Sequence, residues 1–175
     1  DLDGMFDVSS WLEATTESPE GWTVEGASWG DPGFGDYYND EEGSLVSSPF
    51  LERWKSQWGG GLSDCSIYQT IRYLPAGEYS IQGDVIAVLQ GGNASDFGTP
   101  ATGAYFFAND QQASCSTGSE RPVCYVLQTT IGSDGELRFG MKLENTTANW
   151  GAFDNVYLIF LGTEEEMIEG ETGYK

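Results

Sequence analysis

From Cys65 onward the chain is built of short runs whose apolar residues recur at every second position. Cys65–Leu74 (CSIYQTIRYL) puts Ile67, Gln69, Ile71 and Tyr73 on one side, and Tyr79–Gln90 (YSIQGDVIAVLQ) puts Tyr79, Ile81, Gly83, Val85, Ala87 and Leu89 on one side. A period of two is the repeat of a strand with one face buried. Between the two runs, Pro75-Ala76-Gly77 reads as a turn, with proline fixing φ and glycine free to take a positive one. Gly103–Asn109 and Val123–Ile131 read as further strands. Glu136–Leu143 alternates most cleanly. Leu137, Phe139, Met141 and Leu143 go one way and Arg138, Gly140 and Lys142 the other, after a Ser133-Asp134-Gly135 hairpin turn. Phe153–Leu161 (FDNVYLIFL) is apolar at both parities, which marks a strand buried on both faces at the centre of a sheet.

Helical periodicity is scarce. Val8–Ala14 and Phe50–Trp58 each predict a short helix, the second started by Ser48-Pro49, since serine caps and proline suits a first turn. Trp29–Gly43 reads as one long surface loop. About six to eight strands with a turn roughly every ten residues predict an all-β fold, an antiparallel β-sandwich of jelly-roll type. Residues 1–162 are expected to form a single sandwich domain with an acidic N-terminal segment, and residues 163–175 an acidic, solvated tail.

Composition narrows the chemistry. The 175 residues suit one domain, and 14% aromatics is too many for a disordered chain. Seven basic against 28 acidic residues give a net charge of -21, so a phosphate backbone or an anionic membrane surface is excluded as a partner. No stretch is long and apolar enough to span a membrane as a helix, and no basic-then-apolar leader is visible, so a secreted chain is expected to have lost it. Histidine is absent, which removes histidine-based triads, imidazole acid–base chemistry and histidine-ligated zinc. Carboxylates, a lone lysine or tyrosine, or an oxygen-ligated metal remain. The three cysteines allow at most one internal disulfide; Cys115 and Cys124 bracket a Gly/Ser-rich loop and are either that pair or free thiols.

Four segments carry a resemblance. They are Gly21-Trp22-Thr23-Val24; Ser66-Ile67-Tyr68-Gln69-Thr70-Ile71 running into Leu74-Pro75-Ala76-Gly77-Glu78-Tyr79; Ala104-Tyr105-Phe106-Phe107-Ala108-Asn109; and Leu137–Lys142 followed by Asn149-Trp150-Gly151-Ala152-Phe153-Asp154-Asn155-Val156-Tyr157-Leu158. Together, over about Gly21 to Gly162, they resemble the galactose-binding-domain-like sandwiches of secreted and surface Bacteroidetes proteins, whose functional relatives are jelly-roll carbohydrate-binding modules. The resemblance implies a sandwich without catalysis, secreted or at the cell surface, that binds a polysaccharide or oligosaccharide. In related modules an Asp at the place of Asp154 ligates a structural calcium. The glutamate pair that accompanies it there has no counterpart in this chain, and Ala152 stands where a sugar-binding Asn is often found. The other reading of Asp154 is a carboxylate bonded to backbone amides, because a carboxylate in an apolar run must find a partner or protonate. No cofactor is expected to be required.

The aromatics suggest where a sugar would sit. A pyranose lays its C–H face on an aromatic ring while carboxylates and amides bond its hydroxyls. Trp29, Phe34, Tyr37 and Tyr38 are interleaved with glycines and with Asp31, Asp36, Asn39 and Asp40, while Trp54 and Trp58 stand four apart. The expected glycan contacts are Trp29, Tyr37, Tyr38, Trp58, Asp36 and Asn39; the competing reading is that these aromatics plug one end of the sandwich. Trp22 and Trp150 are expected in the core. A structural or protein-contact module of a surface assembly is the second functional reading. A small glycosidase using carboxylates such as Asp40, Glu41 and Glu42 is the third.

Overall fold

The computed structural model describes residues 21–26, 31–38, 45–54, 60–89, 99–115 and 123–163. Two antiparallel sheets face each other across one core. The first runs in the order β1 (Trp22–Gly26), β4 (Cys65–Ile71), β10 (Leu137–Leu143), β7 (Ala104–Ala108) and β8 (Gln111–Ser114). The second runs β2 (Asp31–Tyr38), β3 (Leu45–Trp54), β11 (Trp150–Gly162), β5 (Gly77–Leu89) and β6 (Thr99–Pro100), with β9 (Val123–Ile131) also pairing β5. β6 and β9 share one edge of β5, β6 at residues 88–89 and β9 at 77–85. The described residues contain strands and no helix, so the expected all-β antiparallel sandwich is what the chain forms.

The alternation seen in the sequence is the alternation of burial. Leu137, Phe139, Met141 and Leu143 are all inside, with Ile67 and Phe106 beside them in the same sheet and Ile81, Val85 and Phe153 supplied by the other. Trp22 meets Phe139 and Phe153 edge-on, with ring centroids 5.7 and 5.6 Å away. Trp150 is buried too, but on the other side of the second sheet, in a separate cluster with Ile86, Val88 and Ala152.

Several expectations fail, each for a physical reason. Phe50–Trp54 is not helical but the end of a ten-residue strand, because pairing with β2 and β11 satisfies its backbone, whereas an isolated helix of two turns is marginal. Pro49 is tolerated there because β11 pairs β3 only at Leu51–Trp54, leaving β3 a single partner at Pro49. The expected loop Trp29–Gly43 contains β2, paired residue by residue with β3; its Pro32 sits on a strand with one described partner. β4 stops at Ile71, and Tyr73, expected on the buried side, is exposed with a left-handed φ of 65°. Phe153–Leu161 is central only at its start. Trp150–Phe153 has β3 on one side and β5 on the other, whereas from Tyr157 onward β5 is the partner and Tyr157, Ile159, Phe160 and Leu161 are exposed. Apolar character at both parities thus signals burial at one end of β11 and an apolar surface at the other. Cys115 and Cys124 are both free: the first is buried at the end of β8, the second is exposed on β9 in the opposite sheet. Val8–Ala14, the remainder of the N-terminal segment and the tail beyond Thr163 lie outside the described residues.

Gly140 tests the packing between β4, β10 and β7. A Cβ there would fall onto the Ile67 carbonyl oxygen and lie 2.7 Å from the Tyr68 Cα. Backbone cannot yield as a side-chain tip does. Gly140→Ala is expected to lower stability by about 3 kcal/mol in urea unfolding, and an unchanged midpoint would show that β4 and β10 are less tightly paired than this.

Candidate functional site

The solvent face of the second sheet changes character along β5 and β11. Residues directly paired in an antiparallel ladder share a face, so the outward rows are Val88 with Trp150, Ile86 with Ala152, Asp84 with Asp154, Gln82 with Tyr157, and Ser80 with Ile159. β9 extends three of them with Cys124 beside Asp84, Val126 beside Gln82 and Gln128 beside Ser80. The first two rows are the buried apolar cluster. The next is a pair of carboxylates. The one after it is an aromatic ring, 48% exposed, beside an amide and a valine that is 56% exposed.

A bulge in β11 concentrates polar groups at that boundary. Between the pairs Asp154–Asp84 and Tyr157–Gln82, β11 has two residues where β5 has only Gly83. Val156 turns into the core, while Asn155 stays exposed with φ of 50°. Asparagine tolerates that left-handed conformation better than most residues. The extra residue sets Asp154, Asn155 and Tyr157 close together on the outward side, the usual effect of a bulge on the aim of side chains. Asn155 Nδ2 donates to Asp84 Oδ2 at 3.0 Å. Cys124 also hydrogen-bonds Asp84, which with burial and the nearby negative charge pushes the thiol up.

Asp154 is the carboxylate with a strongly altered proton affinity. Burial beside the apolar cluster pushes it up to about 6, the neighbouring Asp84 charge adds to the rise, and a bond from the Asn155 backbone opposes it. The bond from the Asn155 backbone is of the kind that the second reading of Asp154 expects, and below about pH 6 the carboxyl is protonated. Among the described residues no group of three carboxylates or thiols converges to hold a metal ion. The site offers an aromatic face, an amide, a carboxylate that accepts, and a carboxyl that donates below about pH 6.

None of the expected glycan residues that are described stands at this boundary. Asp36, Tyr37 and Tyr38 stand consecutively on β2, in the same sheet as β11 but two strands away. Trp29, Asn39 and Trp58 lie outside the described residues. Asp154 is at the site. Asp84, Gln82, Asn155 and Tyr157 were not singled out from the sequence, although Gln82 and Asp84 are the polar parity of a clean alternation and Asp154-Asn155 interrupts an apolar run.

No family model matches the sequence, and no curated protein matches it. Solved structures share the fold at low identity. The Stig cyclase Fisc from Fischerella sp. TAU, solved with a pyrrolidinylidene-indole, superposes with a TM-score of 0.55 at 13% identity, over 91% of this chain and 97% of that one. A second cyclase structure from Fischerella sp. TAU gives 0.54 at 13% identity, over 82% and 86%. The module TmCBM61, in complex with β-1,4-galactotriose, gives 0.47 at 14% identity, over 89% and 98%. The cyclase superpositions show a common β-sandwich. No helix of the described residues is long and apolar enough to cross a membrane.

The raised Asp154 makes a signed prediction. Its folded affinity for a proton exceeds the ordinary value of 3.8, so its contribution to stability is fully present below about pH 4 and is lost as pH rises through about 6. Asp154→Asn, which cannot ionise, is expected to be more stable than the parent by roughly 2 kcal/mol at pH 8 and equal to it near pH 4. Urea unfolding at the two pH values measures this; a variant less stable at pH 8 would mean that the ionised carboxylate is well served in the fold.

Proposed function

We propose that this chain is a glycan-binding module without catalysis of its own, carried by a secreted or cell-surface protein. The observation that carries the reading is Tyr157, an exposed ring on the outward side of the second sheet, flanked by Gln82 and bordered by Asp84 and Asn155. That set supplies a surface for sugar C–H groups and hydroxyl partners at its edge. With a net charge of -21, neutral glycans are the expected ligands of this face. Trp29, Tyr37, Tyr38, Trp58, Asp36 and Asn39 remain proposed contacts, and Asp36–Tyr38 are on a strand of the same sheet. The galactotriose in the complex of TmCBM61 is a ligand of that protein. The cyclases share a fold with this chain, and a shared fold does not transfer a reaction.

A glycan array followed by affinity electrophoresis tests the proposal. Tyr157→Ala is expected to weaken retention of a neutral glycan about tenfold or more, with the thermal midpoint little changed because the ring is half-exposed. Retention unaffected by Tyr157→Ala moves the site elsewhere, and the pair Trp29→Ala and Tyr37→Ala then tests the other expected contacts. Release of reducing ends from a retained glycan, abolished by Asp154→Asn, would overturn the non-catalytic reading. The exposed Val126 and Ile159 beside Tyr157 favour a second reading, a surface for a protein partner; loss of partner binding in Val126→Ser and Ile159→Ser with no glycan retained by the parent would establish it.

Calcium is proposed to be dispensable. Adding it at millimolar level after chelation is expected to leave the thermal midpoint within about a degree, since a cation bound only by the folded state would raise it by mass action. A rise of several degrees would restore Asp154 as a calcium ligand.

A further inference from the structure

The opposite face of the sandwich carries a different chemistry. On the solvent side of the first sheet, β10 presents Arg138, Gly140 and Lys142 in sequence, between Tyr68 on β4 and Phe107 and Tyr105 on β7. The Arg138 guanidinium lies over the Tyr68 ring, 4.5 Å from its centroid. Tyr68 is itself fixed: its hydroxyl donates to Glu25 Oε1 at 2.6 Å and its ring meets Phe107 at 6.5 Å. The ring beneath the guanidinium is therefore held by the protein, and Arg138 itself is exposed.

The partners of the cations make this arrangement unusual. Among the described residues, Arg53 donates to the Ser63 carbonyl at 2.9 Å, Arg72 pairs with Glu136 at 3.2 Å, and Lys142 pairs with Glu144 at 3.3 Å and donates to Gln112. Among the described residues the head of Arg138 has neither a hydrogen bond nor an ion pair, in a chain with 28 acids and 7 bases. A guanidinium serving the fold would be expected to take one of those acids. An exposed guanidinium lying over a ring can receive a planar oxyanion through two parallel bonds.

We propose that this face binds an acidic polysaccharide, with a uronate carboxylate on Arg138. Arg138 and Lys142 are four residues apart on one strand, about 13 Å, and Gly140 between them contributes no side chain. A ligand meeting both heads is extended and carries acid groups at about that spacing, passing over Phe107, which with Tyr68 covers Gly140. Negative charge beyond roughly 8 Å is screened at physiological salt; of the acids nearer than that, Glu144 is taken by Lys142 and Glu25 by the Tyr68 hydroxyl, which leaves Arg138 as the principal anchor. The site is separate from Tyr157 and stands whether or not that ring holds a neutral glycan.

The experiment is affinity electrophoresis and calorimetry of the whole chain against polygalacturonate, dextran sulfate and neutral dextran at about 0.15 M salt. The expected result is binding to polygalacturonate, none to neutral dextran, and a loss of about tenfold or more in Arg138→Ala. Arg138→Lys, which keeps the charge and loses the fork, is expected to fall between the two, Lys142→Ala to weaken binding, and Arg72→Ala to leave it unchanged. Thermal midpoints near the parent's keep the variants comparable. No binding to polygalacturonate overturns the proposal. So does binding insensitive to Arg138→Ala, or binding to dextran sulfate of equal strength that Arg138→Lys leaves intact, which is charge attraction alone. Binding removed by Tyr157→Ala and kept by Arg138→Ala overturns it as well, by placing the acidic ligand on the other sheet.

Discussion

The pairing of β5 with β11 is the interaction on which both the core and the candidate site depend. Each strand is thirteen residues long, and their ladder runs from Trp150 opposite Val88 to Gly162 opposite Glu78. One parity of the two strands supplies Ile81, Val85, Phe153 and Val156 to the space between the sheets. The other parity supplies every residue of the outward rows. A one-residue slip would exchange the two sets, so the apolar core enforces the register that brings Asp84 against Asp154 and Gln82 against Tyr157. The bulge at Asn155–Val156 is one of two places where the ladder departs from regular pairing, and it turns Val156 inward while Asp154, Asn155 and Tyr157 stay outward.

That arrangement carries an energetic conflict at the site. Asp154 stands one row from Ala152 and Ile86, both fully buried, and beside a second carboxylate. An apolar residue there would continue the cluster, and a solvated one would leave the boundary intact. The carboxyl instead sits where ionisation is disfavoured, which is why its proton affinity rises. Local destabilisation kept inside an otherwise consistent fold is a mark of residues retained for chemistry or recognition, and it coincides here with the bulge and the exposed ring.

Much of the architecture was legible in the residues because period two survives wherever one face is buried and the other wet. β4, β5, β9 and β10 were readable for that reason. β2 and β3 were not: Pro32, Gly33, Gly35 and Pro49 read as loop signals, and only pairing between strands makes extended backbone favourable there. β6 and β8 have two and four residues, too short to show a period. At the site, Asp154 was legible because a carboxylate inside an apolar run is an anomaly. Gln82 and Asp84 were not, since polar residues at outward positions are the expected half of any alternation. Tyr157 was read as buried because an apolar run looks the same whether its second face meets another layer or water.

The two solvent faces together show how an acidic chain divides its recognition chemistry. The second sheet sets an aromatic ring beside amides and carboxylates, and a carboxylate rim suits hydroxyls and repels anions. The first sheet sets cations over tyrosines, with Arg138 on Tyr68 and Lys142 5.4 Å from the Tyr105 centroid. Both faces place an aromatic ring among the polar groups of neighbouring strands. What differs is the group laid next to it. On β11 the bulge turns Tyr157 outward, where its ring is half-exposed. On β10 the strict alternation of Arg138, Gly140 and Lys142 brings the guanidinium over the Tyr68 ring. The two faces therefore differ in whether a ring or a charge is outermost, and the cause in each case is whether a strand keeps or breaks its alternation beside an aromatic residue.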